Sequence, residues 1–212
     1  MKAKVLFLLK FILARFATKS RYKIVRGYFH RKTYSYFNDT QLTDDFQNDV
    51  YKAAKKYAER SGYKTILDMG CGSGFKLMKY FLSYDTVGID VAETVRFLKD
   101  KYPTRTWLTT DESLSVKADM VICSDVIEHV LDPDQLLKKI LSFSPKTIVI
   151  STPDRKLLDM SDYFGPPRNS HHIREWTFNE FREYLSDHVK IIDQVIINYD
   201  QKTQMAICEP KR

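Results

Sequence analysis

The chain has 212 residues, of which 43% are hydrophobic and 29% charged, and its formal net charge is +7. This length fits one domain with or without an appendage, and the apolar fraction argues against an intrinsically disordered protein. The three cysteines (Cys71, Cys123 and Cys208) are odd in number and far apart. They match neither a disulfide framework nor a C-x-x-C metal site, so we expect a reducing, cytoplasmic location.

The positive charge is concentrated at the amino terminus. Ten of the 34 basic residues precede the first acidic residue, Asp39, which leaves 24 basic against 27 acidic residues and a net charge of −3. The ten are Lys2, Lys4, Lys10, Arg15, Lys19, Arg21, Lys23, Arg26, Arg31 and Lys32. We therefore predict a basic extension over residues 1–38 and a mildly acidic domain over residues 39–212.

The extension opens with two apolar runs, residues 5–9 and 11–14, which Lys10 separates. They are too short for a membrane-spanning helix, which needs about 20 apolar residues, and no small-x-small cleavage pattern marks a secretory signal. Cations mixed with large apolar residues are typical of interfacial helices. This predicts an amphipathic N-terminal helix that either binds an anionic membrane surface, making the protein peripheral to a membrane, or packs on the domain. Binding of nucleic-acid phosphates is a third possibility.

Beyond the extension, helical and strand patterns alternate. Apolar spacing predicts a helix over residues 41–61, which Gly62 ends. Strands are predicted over residues 64–69, 85–90, 105–110, 119–124 and 146–152, with helices over 75–83, 92–102 and 133–143. Thr177 and Glu180 form a capping box for a last helix, and the chain closes in a hairpin around residues 200–202. The alternation predicts a doubly wound, seven-stranded, mostly parallel α/β sheet with helices on both faces and an N-terminal helical extension.

Three of the seven glycines, Gly70, Gly72 and Gly74, directly follow the first predicted strand. Alternating glycines let the backbone approach a ligand closely at the carboxyl edge of the sheet, beside the unpaired N–H groups of a following helix. The dinucleotide fingerprint requires a glycine where Phe75 stands, and no Gly-Lys-Ser/Thr sequence follows as in a Walker loop. The loop therefore predicts a small-molecule site of another kind.

The segment LDMGCGSG, followed by VGID ending at Asp90, resembles the class I S-adenosylmethionine-dependent methyltransferases. The resemblance continues through TTDESL, ADMVICSDVIEHV and ISTPDR and covers about residues 60–210. It implies a Rossmann-like methyltransferase fold and S-adenosylmethionine as cofactor. DVIEHV and SHHIREWTF are similar to the branch that contains ubiquinone-biosynthesis O-methyltransferases and methyltransferases associated with bacterial sugars and glycans.

The resemblance also implies which residues bind the cofactor. The loop of Asp68, Gly70, Gly72 and Gly74 would hold its methionine part and Asp90 its ribose hydroxyls, because a carboxylate accepts two hydroxyl donors well. Asp111 and Glu112 would lie near adenine. The remaining cofactor-binding residues that we predict are Cys71, Val91 and Ser124.

Methyl transfer to a hydroxyl requires a base, because the hydroxyl proton must leave. His129 follows the fourth strand, and His171 and His172 lie in the loop after the fifth strand, so all three are candidate catalytic residues at the ligand-binding edge. The alternative for the two loop histidines is that they fix the loop by hydrogen bonding.

Asp125, Glu128 and His129 are hard ligands, and relatives carry a Glu-x-x-Glu-His metal-binding element there. A divalent cation is therefore chemically possible. The aspartate side chain is shorter than that of glutamate, and no fourth ligand is assured. We therefore favour Glu128 and His129 as helix-surface residues and predict no metal site.

We expect an O-methyltransferase acting on a small molecule, a sugar, or a lipid-linked glycan or quinone. An RNA 2′-O-methyltransferase is the alternative, because small-RNA terminal methyltransferases use a similar element with a distant histidine. The acidic domain lacks the interleaved cations and aromatics of a single-strand channel, so nucleic acid is the less favoured partner. A non-enzymatic cofactor-binding scaffold is a further alternative.

Overall fold

The computed structural model describes residues 20–33, 35, 38, 40, 46–112, 117–158 and 163–211. The amphipathic helix predicted near the amino terminus lies outside these residues. The strands are β1 (Thr65–Met69), β2 (Asp85–Asp90), β3 (Thr106–Thr109), β4 (Met120–Ser124), β5 (Thr147–Pro153), β6 (Val189–Asn198) and β7 (Thr203–Pro210). The described helices are α1 (Asn48–Ser61), α2 (Phe75–Phe81), α3 (Ala92–Lys101), α4 (Pro133–Ser142) and α5 (Phe178–His188).

The seven strands form one sheet in the order β3-β2-β1-β4-β5-β7-β6, with β7 antiparallel to both of its neighbours. The remaining neighbouring pairs are parallel. The predicted fold class is therefore confirmed. The strand order reverses at β1, which lies between β2 and β4, and ligands of open α/β sheets bind at such a switch point.

The central strands are buried on both faces because helices cover the sheet from both sides, which explains why they read as continuous apolar runs. Two hydrophobic clusters fill the two faces, one containing Trp176 and the other Trp107. Of the part of the chain that the structure describes, no helix is long and apolar enough to cross a membrane.

Most of the predicted helix ends agree with those observed in the structure. The Asp132 carboxylate accepts the N–H groups of Asp134 and Gln135 at the start of α4, and the Thr177–Glu180 capping box begins α5. The first helix is shorter than predicted, because it starts at Asn48. Phe46, which belongs to the predicted apolar stripe, lies in a turn instead and is 56% exposed.

Residues 20–33, which we call the N-terminal strap, pack against the loop that carries the histidine pair. Ile24 is 3% exposed and belongs to the Trp176 cluster. The Trp176 indole N–H donates to the Tyr22 carbonyl at 2.9 Å, and the Val25 N–H donates to Glu180 Oε1 at 2.8 Å. These contacts make the strap part of the domain's core.

Deleting residues 1–33 is expected to lower the free energy of unfolding by about 3 kcal/mol or more, since it exposes the Ile24 site and leaves the Trp176 N–H without its acceptor. Urea denaturation of the purified proteins measures the change. Deleting residues 1–19 alone removes none of the described contacts and serves as the control. Equal midpoints for the two truncations would show that the strap contributes nothing to stability.

Candidate active site

A cavity of about 580 Å³ opens at the carboxyl ends of β1, β2 and β4, next to the switch point. Most of the predicted residues reach it: Gly70, Cys71, Asp90, Val91, Ser124, His129 and His172. Asp68, Gly72, Gly74, Asp111, Glu112 and His171 do not line it. The cavity is also lined by residues that were not predicted from the sequence to bind the cofactor or to act in catalysis: Ser35, Phe46, Gln47, Ser73, Lys76, Thr110, Asn169, Gln201 and Thr203.

The glycine loop turns back against the end of β2. The Gly70 N–H donates to the Ile89 carbonyl at 2.8 Å, and the Gly72 N–H donates to Asp90 Oδ2 at 2.9 Å. Gly70 has φ of +78°, and a Cβ built on it would lie 2.3 Å from Val126 Cγ2. The backbone therefore approaches the segment after β4 more closely than any side chain would allow.

Two of the predicted loop residues, Asp68 and Gly74, do not line the cavity but contact the elements around it. Asp68 is fully buried and accepts a hydrogen bond from the Tyr51 hydroxyl at 2.8 Å. Gly74 begins α2, and a Cβ there would lie 2.7 Å from Leu98 and 3.0 Å from Trp107. Its lack of a side chain lets α2 pack closely against its neighbours.

The Asp90 carboxylate lies at the cavity wall and is held by its neighbours. Oδ1 accepts the Val91 N–H at 2.7 Å, while Oδ2 accepts the Gly72 N–H. Burial raises the pKa of Asp90, and these two N–H groups and Thr94 oppose the shift. A partly buried carboxylate of this kind is stabilised by further hydroxyl donors.

The acidic pair after β3 lies at the surface. Asp111 and Glu112 are exposed, and Glu112 Oε2 accepts the Thr109 N–H at 2.7 Å. A hydrogen bond from Thr109 lowers the pKa of Asp111. Thr110, directly before the pair, is the residue of this turn that lines the cavity.

Two loops bring His129 and His172 together, with ring centroids 4.8 Å apart. His129 belongs to the turn after β4, and the Ile173 N–H ties the second loop to this turn by donating to the Glu128 carbonyl at 2.7 Å. His171 points elsewhere, since its Nδ1 hydrogen-bonds with the Ser35 hydroxyl at 3.1 Å. Of the adjacent pair, His172 is the one that reaches the cavity.

The hydrogen bonds place a proton on Nδ1 of both rings. Nδ1 of His129 lies 3.0 Å from the His171 carbonyl, which can only accept, so this nitrogen carries the proton. Nδ1 of His172 donates to the Glu175 carboxylate at 2.7 Å, and its Nε2 accepts from the Asn169 amide at 3.0 Å. A ring whose single proton is on Nδ1 has its lone pair on Nε2, and in His172 this nitrogen faces the Asn169 amide.

Glu128 is the third member of this cluster. The residue is fully buried, and its Oε2 accepts a hydrogen bond from the Thr152 hydroxyl at 2.9 Å. Its Oε1 lies 3.9 Å from Nε2 of His129 and has no hydrogen-bond partner among the residues that the structure describes. Burial, together with the nearby Asp125 carboxylate, raises the pKa of Glu128 well above its usual range.

The expectation that Glu128 and His129 lie on a helix surface is wrong, because the segment is a turn and Glu128 is buried. One ligand atom from each of Glu128, His129 and His172 lies within 4.8 Å of the other two. Both histidines donate Nδ1–H to an oxygen acceptor, which is how metal-binding imidazoles are usually oriented. The donor set therefore fits a divalent cation, which would take the place of the Asn169 amide at Nε2 of His172. Asp125 is not part of this cluster.

Acid is expected to destabilise the protein through His129. Burial and the neighbouring His172 lower the pKa of His129 from 6.5 to about 4. Below about pH 6.5 His129 therefore binds a proton in the unfolded chain, whereas in the native protein it does so only below about pH 4. The free energy of unfolding falls by up to about 3 kcal/mol as the pH is lowered through this window. Urea unfolding of the wild type and His129→Gln in EDTA at several pH values measures the difference, and parallel pH curves would contradict the prediction.

Comparison with known protein families identifies the family of this chain. A family model described as a methyltransferase domain matches residues 41–195, most of the chain. The chain belongs to this methyltransferase family. A search of characterised proteins finds a small RNA 2′-O-methyltransferase of Arabidopsis thaliana, 27% identical and matched over 63% of this chain. The match spans only 18% of that relative's length.

Solved structures share the fold of this methyltransferase at low sequence identity. The methyltransferase domain of the bacterial CtHen1-C has a TM-score of 0.62 at 19% identity, covering 78% of this chain and 98% of that one. The plantazolicin methyltransferase BamL, solved with a desmethyl-plantazolicin analogue and SAH, has a TM-score of 0.63 at 14% identity, covering 82% and 88%. A Burkholderia thailandensis N1-methyltransferase solved with SAH gives 0.59 at 17%, covering 78% and 80%.

The cofactor of this methyltransferase is S-adenosylmethionine, and the cavity fits it. The Gly70 backbone lines the cavity at a point where Val126 leaves no room for a side chain. The Asp90 carboxylate stands at the end of β2 with capacity for hydroxyl donors. Neither feature is required by an ordinary strand–helix turn. Asp90 and Gly70 are therefore the residues that we expect to contribute most to binding.

Proposed function

We propose that this methyltransferase methylates a hydroxyl group of a sugar-like small molecule, beside a divalent cation held by Glu128, His129 and His172. The observation that supports the proposal is the convergence of two oriented imidazole nitrogens and one buried carboxylate on the wall of the cofactor cavity. An alcohol is a weak nucleophile with a tightly held proton, so it needs such a group more than an amine or a thiolate does.

A divalent cation at this cluster would supply Lewis acidity, which lowers the pKa of a coordinated hydroxyl. Glu128 would neutralise part of its charge, and the Glu175 carboxylate holds the His172 ring in the required tautomer. Because three protein ligands leave coordination positions open, an acceptor with two adjacent hydroxyls suits the site better than one with a single hydroxyl.

The chain itself mainly orients the reactants. Gly70 lets the loop pack closely against Val126 at the cavity wall. Asp90 would bind the ribose hydroxyls of the cofactor, so that methyl and acceptor oxygen can be held in line. Such positioning contributes up to about 7–11 kcal/mol in well-oriented reactions. The cavity is also lined by Ser35, Phe46, Gln47 and Gln201, which are candidate contacts for the acceptor.

The terminal ribose of an RNA is the second candidate acceptor, since it also carries adjacent hydroxyls. Two observations favour it: the sequence match to the Arabidopsis small RNA 2′-O-methyltransferase, and a cluster that combines a Glu-His pair with a histidine from a distant loop. The net charge of −3 over residues 39–212 argues against a long phosphate-binding channel on the domain.

Transfer of a labelled methyl group to a nucleic-acid-free metabolite extract tests the proposal, with short RNA as the parallel substrate. We expect an alkali-resistant methyl ether in the small-molecule fraction, and its formation should stop in EDTA and resume with added Mg²⁺ or Mn²⁺. Label in RNA with a free 3′-terminal diol, absent after periodate oxidation, would support the second candidate. Methylation of nitrogen or sulfur with no effect of EDTA would overturn both.

A further inference from the structure

A second, smaller cavity of about 220 Å³ lies under the N-terminal strap, where the strap crosses the loop after His172. Four cationic or potentially cationic residues line it: Arg21, Arg26, His30 and Arg174. None of the described residues that line it is acidic. Arg21 is occupied elsewhere, because its Nε donates to Asp134 Oδ2 at 2.8 Å. Arg26, His30 and Arg174 therefore determine the charge of the cavity.

Arg174 is the unusual member of this group, because it is 1% exposed and, among the residues that the structure describes, forms no ion pair with a carboxylate. Two of its guanidinium nitrogens donate to the carbonyls of Val130 and Leu131, at 2.8 and 2.7 Å. Its Nε is buried and, within the described ranges, has no hydrogen-bond acceptor. The guanidinium also faces the rings of Tyr22, 4.5 Å away, and Trp176, 5.9 Å away. The nearby Asp132 carboxylate offsets part of its charge without forming an ion pair, so a positive field remains at the cavity.

The cavity wall provides a second sign of positive potential. The pKa of His30 is lowered by burial and by the neighbouring cations Arg174 and Lys32. Arg26 and His30, which both line the cavity, are exposed. An anion would reduce the repulsion between these cationic side chains and would offer an acceptor to the Arg174 Nε–H. Guanidinium groups pair especially well with phosphate oxygens.

We propose that this second cavity binds a phosphate group. The site is independent of the methyl-transfer chemistry, although it is linked to it in space, because Arg174 holds the carbonyls that directly follow His129 and lies two residues after His172. A bound phosphate fixes Arg174 and thereby stiffens both segments that form the Glu128–His129–His172 cluster. The phosphate belongs either to a membrane phospholipid or to a soluble phosphorylated compound, since both offer the same oxygens.

Titration of the full-length protein with inorganic phosphate, with chloride at equal ionic strength as reference, tests the site. Nuclear magnetic resonance follows the Arg174 side-chain N–H and the ring signals of His30. We expect a saturable shift with phosphate and a rise in the pKa of His30. The double variant Arg26→Ser/His30→Ala should weaken binding about tenfold or more, whereas Arg96→Ser, an exposed cation on α3, should leave it unchanged.

A phosphate response no larger than that of chloride, or one that the double variant retains in full, would overturn the proposal. Sedimentation with vesicles of phosphatidylcholine, with and without phosphatidylglycerol, then identifies the source. Weaker sedimentation of the double variant than of Arg96→Ser with phosphatidylglycerol assigns the site to a lipid headgroup. Equal sedimentation, together with saturable phosphate binding, assigns it to a soluble phosphate.

Discussion

Replacing Gly70 with alanine is expected to weaken binding of S-adenosylmethionine by about 100-fold or more, without unfolding the protein. The backbone at Gly70 has φ of +78°, and the added Cβ would lie 2.3 Å from Val126 Cγ2. Val126 is β-branched and stiff, and it belongs to the segment that leads to Glu128. The glycine loop must therefore move, and it would move into the cofactor cavity.

Isothermal titration calorimetry measures the affinity, and two variants separate the causes. Gly62→Ala introduces the same backbone strain at φ of +65°, but its Cβ would meet nothing within 4 Å, so its affinity should equal that of the wild type. Adding Val126→Ala to Gly70→Ala removes the clashing methyl groups and should restore part of the binding. Affinity within about threefold of the wild type in Gly70→Ala would show that the close approach does not matter.

Replacing Glu128 with glutamine is expected to remove a bound divalent cation and to lower kcat/KM by roughly 100-fold or more, with cofactor affinity unchanged. The substitution keeps the shape and an acceptor for the Thr152 hydroxyl, and removes only the charge. Burial and Asp125 raise the pKa of Glu128, whereas a bound cation would favour the ionised carboxylate that glutamine cannot supply. Near-wild-type activity in Glu128→Gln would therefore contradict a metal site.

Metal content of the purified protein gives a readout that does not depend on activity. The matched control is Asp125→Asn, which also removes a carboxylate from the cavity wall but lies outside the Glu128–His129–His172 cluster. Asp125→Asn should retain the cation, whereas Glu128→Gln and His172→Ala should lose it. The opposite result would restore the ligand set that the sequence motif suggests, with Asp125 in place of His172.

Much of the fold could be predicted because its signals are local. Strand β2 has the predicted bounds, Asp85–Asp90, since a short run rich in β-branched residues between a polar turn and an acidic end admits few alternatives. The start of the first helix could not be predicted, because Phe46 continues the apolar spacing. In the folded chain, the Gln47 N–H instead donates to the Gln201 side chain at 3.0 Å, a contact across 154 residues.

Some residues of the candidate site could likewise be predicted from local sequence, and others could not. Gly70 and Asp90 were identifiable because each follows directly from a strand end, and strand ends of a parallel sheet meet at one edge. The choice between His171 and His172 was not identifiable, since adjacent loop residues point in directions that only their contacts decide. Asn169 and Gln201 carry no local signal at all, and they reach the cavity through a loop and a hairpin.

The sequence alone indicated the sheet and the glycine loop, because periodicity and glycine spacing act within a few residues. Its resemblance to a methyltransferase family implied the cofactor. The tertiary structure alone decided that Glu128 is buried, that His172 joins it, and that residues 20–33 belong to the domain. These properties depend on contacts between residues far apart in the chain. Burial and ring orientation are set by such contacts, and these in turn set the charge and the ligand geometry of the site.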